Sequence, residues 1–231
     1  MPRKTASHAA FTGEVQAALA PLASAENAAG MRAYMRGRFE YLGIPTPERR
    51  AAIKPLIRAF APVDAISLRA AAETLWQMPE REYQYAAVDL LAHHAGALAL
   101  ADLDWLIELA QQKSWWDSVD ALVKVVSKVV RAEGAKGQRR MDRAIRADDF
   151  WVRRIAMIHQ LGWRADTDTV RLFGYADRLA HEKEFFIRKA IGWALRDYAW
   201  HDWRAVRKYL KAAQTRLSPL TCREAMKNFP R

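Results

Sequence analysis

The segment Ser114-Trp115-Trp116-Asp117-Ser118-Val119-Asp120 puts a carboxylate one helical turn after a tryptophan, in a chain with a formal net charge of +11. An anion beside an aromatic wall stabilises positive charge that develops during a reaction. The two aspartates have different prospects. Asp117 follows Ser114 by three residues, a capping-box pattern, and reads as a helix cap. Asp120 lies beyond the first turn and has no capping duty. Its competing assignment is a salt bridge to a neighbouring lysine or arginine.

These residues have to be positioned by helices. Ala-rich helix formers dominate the 231 residues, 51% are hydrophobic, and glycine and proline are scarce. No alternating strand pattern of useful length appears. Helix starts are expected at Thr12, at Thr46-Pro47 with Thr46 as N-cap, and at Ser218-Pro219. Gly43, Gly96, Gly134 and Gly137 are expected to mark breaks. Phe150-Trp151-Val152-Arg153-Arg154-Ile155-Ala156 lines up with Phe185-Phe186-Ile187-Arg188-Lys189-Ala190-Ile191, 35 residues later. Leu220 to Met226 follows more weakly at the same interval, and Trp115 precedes Phe150 by it. A period near 35 predicts an all-α, curved solenoid of stacked HEAT-like helix pairs, with residues 1–231 as one domain.

The helical faces separate core from candidate contact residues. Ile187, Ala190, Ile191, Ala194 and Tyr198 form an apolar stripe, and Phe186, Lys189, Trp193 and Arg196 occupy the neighbouring face. On the preceding repeat, Val152, Ile155 and Ala156 face inward, with Trp151 and Arg154 beside them. His159 continues the inward stripe and reads as a core histidine. Trp116, Asp120 and Ser127 flank the stripe of Trp115, Val119, Leu122 and Val126. Cations interleaved with aromatics suit nucleic acid. The competing assignment is that the aromatics pack against the next helix pair.

Other chemistries find little support. The lone Cys222 rules out an internal disulfide and a Cys-rich metal site, and fits a reducing compartment. No Gly-rich phosphate loop or His-Glu metal motif occurs, and the adjacent His93 and His94 do not make an i, i+4 ligand pair. No metal, no cofactor and no nucleotide cofactor are expected. Met1-Pro2-Arg3-Lys4-Thr5 lacks the apolar core of a secretory signal, and no segment has the apolar length of a membrane span. A cytoplasmic protein without a membrane partner is expected. The basic charge is spread along the chain, which favours a long contact surface over a tethering arm.

With those residues in place, the chain resembles the bacterial AlkD-type DNA alkylation repair glycosylases from about Met31 to Lys227. The resemblance is carried by Ala33-Tyr34-Met35, Phe39 to Leu42, and Gly43-Ile44-Pro45-Thr46-Pro47-Glu48-Arg49-Arg50. It continues in Pro79 to Ala87, Lys113 to Asp120, Lys183 to Ile187, and Lys189 to Trp193. It matches loosely from Val125 to Asp148. It implies HEAT-like repeats and removal of N3- and N7-alkylated purines from double-stranded DNA, with the lesion largely stacked and not flipped. By resemblance, the active-site carboxylate falls on Asp120, the active-site tryptophans on Trp116 and Trp193, and the DNA-contacting arginine on Arg154. Tyr34, Phe185, Phe186 and Arg196 match DNA-facing positions, and Lys189 lies on the same helical face.

The expected activity is therefore that of a monofunctional glycosylase, acting as a monomer on cationic lesions such as 3-methyladenine and 7-methylguanine. The alternative is a non-catalytic HEAT-like module that binds damaged or branched DNA. A weaker third reading is a protein-binding scaffold. Lys124, a turn after Asp120, is placed where a lyase nucleophile could lie, and it reads more simply as a surface lysine.

Overall fold

The computed structural model describes residues 8–229, so the reading of Met1 to Thr5 lies outside the described residues. Twelve α-helices and no strand occur among those residues, with one isolated β-bridge between Glu40 and Glu80. The chain forms two compact units that meet in sequence at Asp102 and Leu103.

The first unit contains α1 (His8–Leu19), α2 (Ala25–Tyr34), α3 (Thr46–Ala59), α4 (Ala65–Gln77) and α5 (Arg81–His93). Thr12 does not open α1. It lies buried inside that helix, whose apolar residues Phe11, Val15 and Leu19 set the start earlier. Pro45, not Thr46, is the N-cap of α3, so Pro47 sits in the first turn, where its missing N–H costs nothing. A buried acid organises the loop before α3. Glu82 accepts hydrogen bonds from the backbone N–H groups of Leu42, Gly43 and Ile44 at 3.0, 2.9 and 3.1 Å. Gly43 adopts φ +86°, and a Cβ there would lie 2.1 Å from the Ser24 carbonyl oxygen, so only glycine fits. Arg81, wholly buried beside Glu82, places its guanidinium 3.8 Å from the centroid of the Phe39 ring.

The second unit contains α6 (Leu103–Gln111), α7 (Trp116–Ala132), α8 (Ala135–Ala144), α9 (Phe150–Ile158), α10 (Thr169–Leu179), α11 (Phe185–Ala213) and α12 (Pro219–Met226). Its helices alternate between two layers. In one layer, Arg140 of α8 pairs with Asp104 of α6, Arg171 of α10 with Asp142 of α8, and Tyr209 of α11 with Asp177 of α10. In the other, Arg154 of α9 pairs with Asp120 of α7, and Lys189 of α11 with Glu224 of α12. Bonded partners 34 to 36 residues apart recur within the unit, which is the sequence period expressed as stacking. The inward stripes are buried as the periodicity predicts, including Val119, Leu122, Val126, Ile155, Ile187 and Ile191.

Several local expectations are corrected. Ser114 does not cap α7. Its hydroxyl donates to the carbonyls of Ala110 and Gln111 and so closes the end of α6. The N-cap of α7 is Trp115, with no side-chain cap, and Asp117 contributes negative charge in the first turn. Gly137 does not break the chain. It lies inside α8, where a Cβ would approach the Val130 carbonyl oxygen to 2.6 Å, so it permits close helix packing. Ser218 caps α12 as predicted, accepting from the Thr221 N–H at 3.1 Å. The long α11 breaks at Asp202, whose backbone leaves helical geometry and whose carboxylate accepts from the Ala205 N–H.

Candidate active site

Asp120 sits four residues into α7, on the side that faces α9 and α11. Arg154 of α9, one face of the N-terminal part of α11 and Glu224 of α12 supply the rest. The cavity is about 370 Å³ and is lined by Trp116, Asp120, Arg154, Phe185, Phe186, Lys189, Trp193, Arg196 and Glu224. Eight of the nine sequence-derived site residues thus converge on one cavity within the second unit. The ninth, Tyr34, ends α2 in the first unit and is exposed. A second cavity of about 390 Å³ shares Asp120 and Trp193 and is lined also by Lys124, Lys128 and Arg131.

Arg154 grips Asp120. Its Nε donates to Oδ1 and its Nη2 to Oδ2, each at 2.7 Å, and its Nη1 donates to the Phe186 carbonyl. The guanidinium is buried, so Arg154 is an internal positioning group and not an arginine extended into solvent. The salt bridge that competed with an active role for Asp120 therefore exists. It coexists with the cavity, because a carboxylate has about four acceptor positions and the fork uses two. The Asp120 side chain keeps 17% of its surface exposed, against 5% for Arg154. Burial raises the Asp120 pKa above the usual carboxylate value, while the hydrogen bonds and charge of Arg154 oppose that rise and favour the anion.

Behind the cavity lies an aromatic cluster. Trp151 is buried, 6.0 Å from Trp115 and 4.9 Å from Phe186 between ring centroids, so it packs against the neighbouring repeat and does not line the cavity. Trp116, Phe186 and Trp193 remain partly exposed on the cavity wall, and Phe185 is exposed at 55%. His159 is fully buried between the Ala156 carbonyl and Gln138, and burial lowers its pKa to about 4, so it stays neutral. Lys124 is exposed at the second cavity.

Sequence reasoning missed Glu224. The residue is 6% exposed, and its carboxylate takes Lys189 at 2.9 Å, Arg196 at 3.1 Å and Lys227 at 2.6 Å. Burial alone would raise its pKa, but the hydrogen bonds from Lys227 and Lys189 outweigh it and bring the value to about 2. Gly192 leaves the space it needs, since a Cβ there would meet Glu224 Cβ at 2.5 Å. A signal was present. Arg154, Lys189 and Glu224 occupy the same position of three successive 35-residue repeats. The cavity is thus bounded by two acids, Asp120 holding Arg154 of α9 and Glu224 holding Lys189 and Arg196 of α11.

An all-α helical-repeat protein with an aromatic-walled, ion-paired cavity is the class that fold and site define. The sequence pattern of the DNA alkylation repair enzyme family matches residues 15–229, and the chain belongs to that family. It is similar to a solved structure of a predicted DNA alkylation repair enzyme from Enterococcus faecalis, at 33% identity and a TM-score of 0.81, over 90% of this chain and 97% of that one. A more distant likeness is to the Pseudomonas fluorescens alkylpurine DNA glycosylase AlkC bound to DNA containing an abasic site analog. It has 16% identity and a TM-score of 0.44, over 96% of this chain and 61% of that one. No curated protein sequence matches the chain. No helix among the described residues is long and apolar enough to cross a membrane, and no cluster among them has the makings of a metal site.

Proposed function

We propose that the chain is a monofunctional DNA glycosylase that hydrolyses the N-glycosidic bond of cationic N3- and N7-alkylpurines, such as 3-methyladenine and 7-methylguanine, in duplex DNA. It acts as a monomer in the cytoplasm, as a single HEAT-like domain spanning residues 1–231. The observation that carries this reading is the Asp120 carboxylate, held rigid by Arg154 and lining one cavity with Trp116 and Trp193.

The chemistry suits these groups. An alkylated purine already carries positive charge, so breaking the C1′–N bond sends the bonding pair to the base, which leaves neutral and needs no general acid. Positive charge moves to the deoxyribose. Asp120 stabilises that oxocarbenium-like sugar and orients the water that adds to C1′, whose proton passes to the carboxylate or to solvent. The ring faces of Trp116 and Trp193 contribute roughly 0.5–2 kcal/mol each to a cationic centre. Arg154 serves two ends, since it fixes the carboxylate and keeps it ionised, but its charge also tempers the anion. Phe185, Phe186, Lys189 and Arg196 hold the backbone near the lesion, and Tyr34 contacts DNA from the first unit. Selection rests on the lability and charge of the lesion, so the base stays stacked.

One observation favours a second reading. The two-pronged grip of Arg154 is also what a purely structural ion pair looks like, as in a module that binds DNA without acting on it. Release of 3-methyladenine and 7-methylguanine from methylated DNA separates the two. The glycosylase releases free base and Asp120→Asn binds DNA but releases far less. Binding by the wild type with no base released supports the module.

A further inference from the structure

Glu224 lines the cavity with Asp120, yet the proposed reaction gives it no part. It comes from α12, and its carboxylate spans two cations of α11. Oε1 takes Lys189 at 2.9 Å and Oε2 takes Arg196 at 3.1 Å. Those cations are seven residues apart, about 10 Å along the helix axis, with Trp193 between them on the same face. One carboxylate reaches both only from a point level with the turn between them. Gly192 lies on that turn. A Cβ there would come within 2.5 Å of Glu224 Cβ and 2.9 Å of the Thr221 carbonyl oxygen, so the glycine lets α12 approach closely enough to place the acid. Lys227, the C-cap residue of α12, also pairs with Oε1 but does not line the cavity. Burial favours the neutral acid, but the hydrogen bonds from Lys227 and Lys189 outweigh it and keep Glu224 ionised.

The balance of charge on the wall decides what this grip does. Arg154, Lys189 and Arg196 face Asp120 and Glu224, three cations against two anions. Arg154 is taken by Asp120. Without Glu224 the excess rises from one positive charge to two, carried by Lys189 and Arg196. Excess positive charge opposes a sugar that turns positive. We infer that Glu224 is a positioning residue for base release, acting through Lys189 and Arg196: it holds both against α12, offsets part of their charge, and keeps the wall around Trp193 from repelling the cationic sugar. This role rests on the glycosylase reading. Such a group pulls binding and chemistry in opposite directions. An acid that shares two cations with the phosphates loosens the grip on undamaged DNA while it favours the charged sugar. A purely structural ion pair has no such divided effect.

The test measures two quantities in the full chain and its variants: single-turnover release of 7-methylguanine at saturating protein, and the dissociation constant for undamaged duplex. Melting curves give the folded fraction to which rates are referred. Glu224→Gln keeps the shape and removes the charge. Its release rate is expected to fall about 10-fold, less than the roughly 100-fold scale of a group that faces the reacting centre. Its dissociation constant stays equal or drops. Glu224→Gln/Lys189→Gln restores the excess of one positive charge and recovers most of the rate, despite weaker binding. Lys189→Gln beside that double variant repeats the comparison with one cation fewer, which keeps the test open where Glu224→Gln does not fold, and removing the acid slows release there too. Lys227→Gln removes a partner outside the cavity and keeps the wild-type rate. A folded Glu224→Gln protein with the wild-type rate overturns the inference, as does a rate loss accompanied by weaker binding to undamaged duplex, or one that the double variant deepens. A wild type that releases no base overturns this role together with the glycosylase reading, whereas base released equally by wild type and Glu224→Gln overturns this role alone.

Discussion

Glu82 in the first unit and Asp120 in the second are both carboxylates withdrawn from water, and they are held in opposite ways. Glu82 is 1% exposed, and three backbone N–H groups of the 42–44 loop converge on its two oxygens. Its bonding capacity is directed at the fold. Asp120 is held on one side only, by a side chain, and its other side opens to two cavities. Burial alone does not distinguish a structural acid from a reactive one. What distinguishes them is whether acceptor positions remain that face a space large enough for a substrate. Glu224 lies between the two, buried like Glu82 but bound to partly exposed cations that line the same cavity as Asp120.

The strongest challenge to this comparison is Arg154→Ala. It strips a buried acid of its counter-ion and is expected to cost about 3–5 kcal/mol of unfolding free energy in urea titration. It also raises the Asp120 pKa further, so the acid limb of base release moves to higher pH. A limb that stays put would mean that Asp120 does not govern the rate. Next in size is the acid response of Glu224. Its pKa falls from 4.5 in the unfolded chain to about 2 in the fold, so the unfolded chain binds the extra proton between those values. The resulting stability is fully present above pH 4.5 and lost as pH falls towards 2. Glu224→Gln flattens that part of the stability–pH curve.

Glu82→Gln sharpens the contrast from the other side. It leaves one backbone donor facing an amide N–H₂, with an expected loss of about 2–3 kcal/mol in stability. Base release by the folded fraction is unchanged, and a specific loss of rate would erase the distinction from Asp120. The smallest effect is expected for Gly192→Ala. The added methyl group presses on Glu224 Cβ and the Thr221 carbonyl, at 2.5 and 2.9 Å, for about 1–3 kcal/mol by thermal melting.

Much of the second unit was legible because its information is local. Apolar residues at helical spacing chose the buried faces of α7, α9 and α11, and the 35-residue interval chose the stacking partners. What escaped depends on partners from elsewhere. Ser114 has the composition of an N-cap, but the carbonyls of Ala110 and Gln111 compete for its hydroxyl and win. Trp151 lies beside Arg154 on the helical wheel, yet Trp115 and Phe186 from the flanking repeats cover it. Arg154 carries a long side chain whose target, Asp120, lies 34 residues away, and the helical face alone does not show whether it turns inward. Glu224 was hidden because an acid at the position of Arg154 and Lys189 looks like a broken repeat, when it is the counter-ion of the preceding one.

The central claim is that the anion of Asp120 does chemical work beyond holding Arg154. Single-turnover release of 7-methylguanine, with protein in excess over methylated duplex, tests it most directly when wild type and Asp120→Asn are compared at matched DNA occupancy and verified folding. Free base is expected from the wild type, and a rate at least about 100-fold lower from Asp120→Asn, the scale of losing one preorganised electrostatic group. Equal rates from a folded Asp120→Asn protein would contradict it.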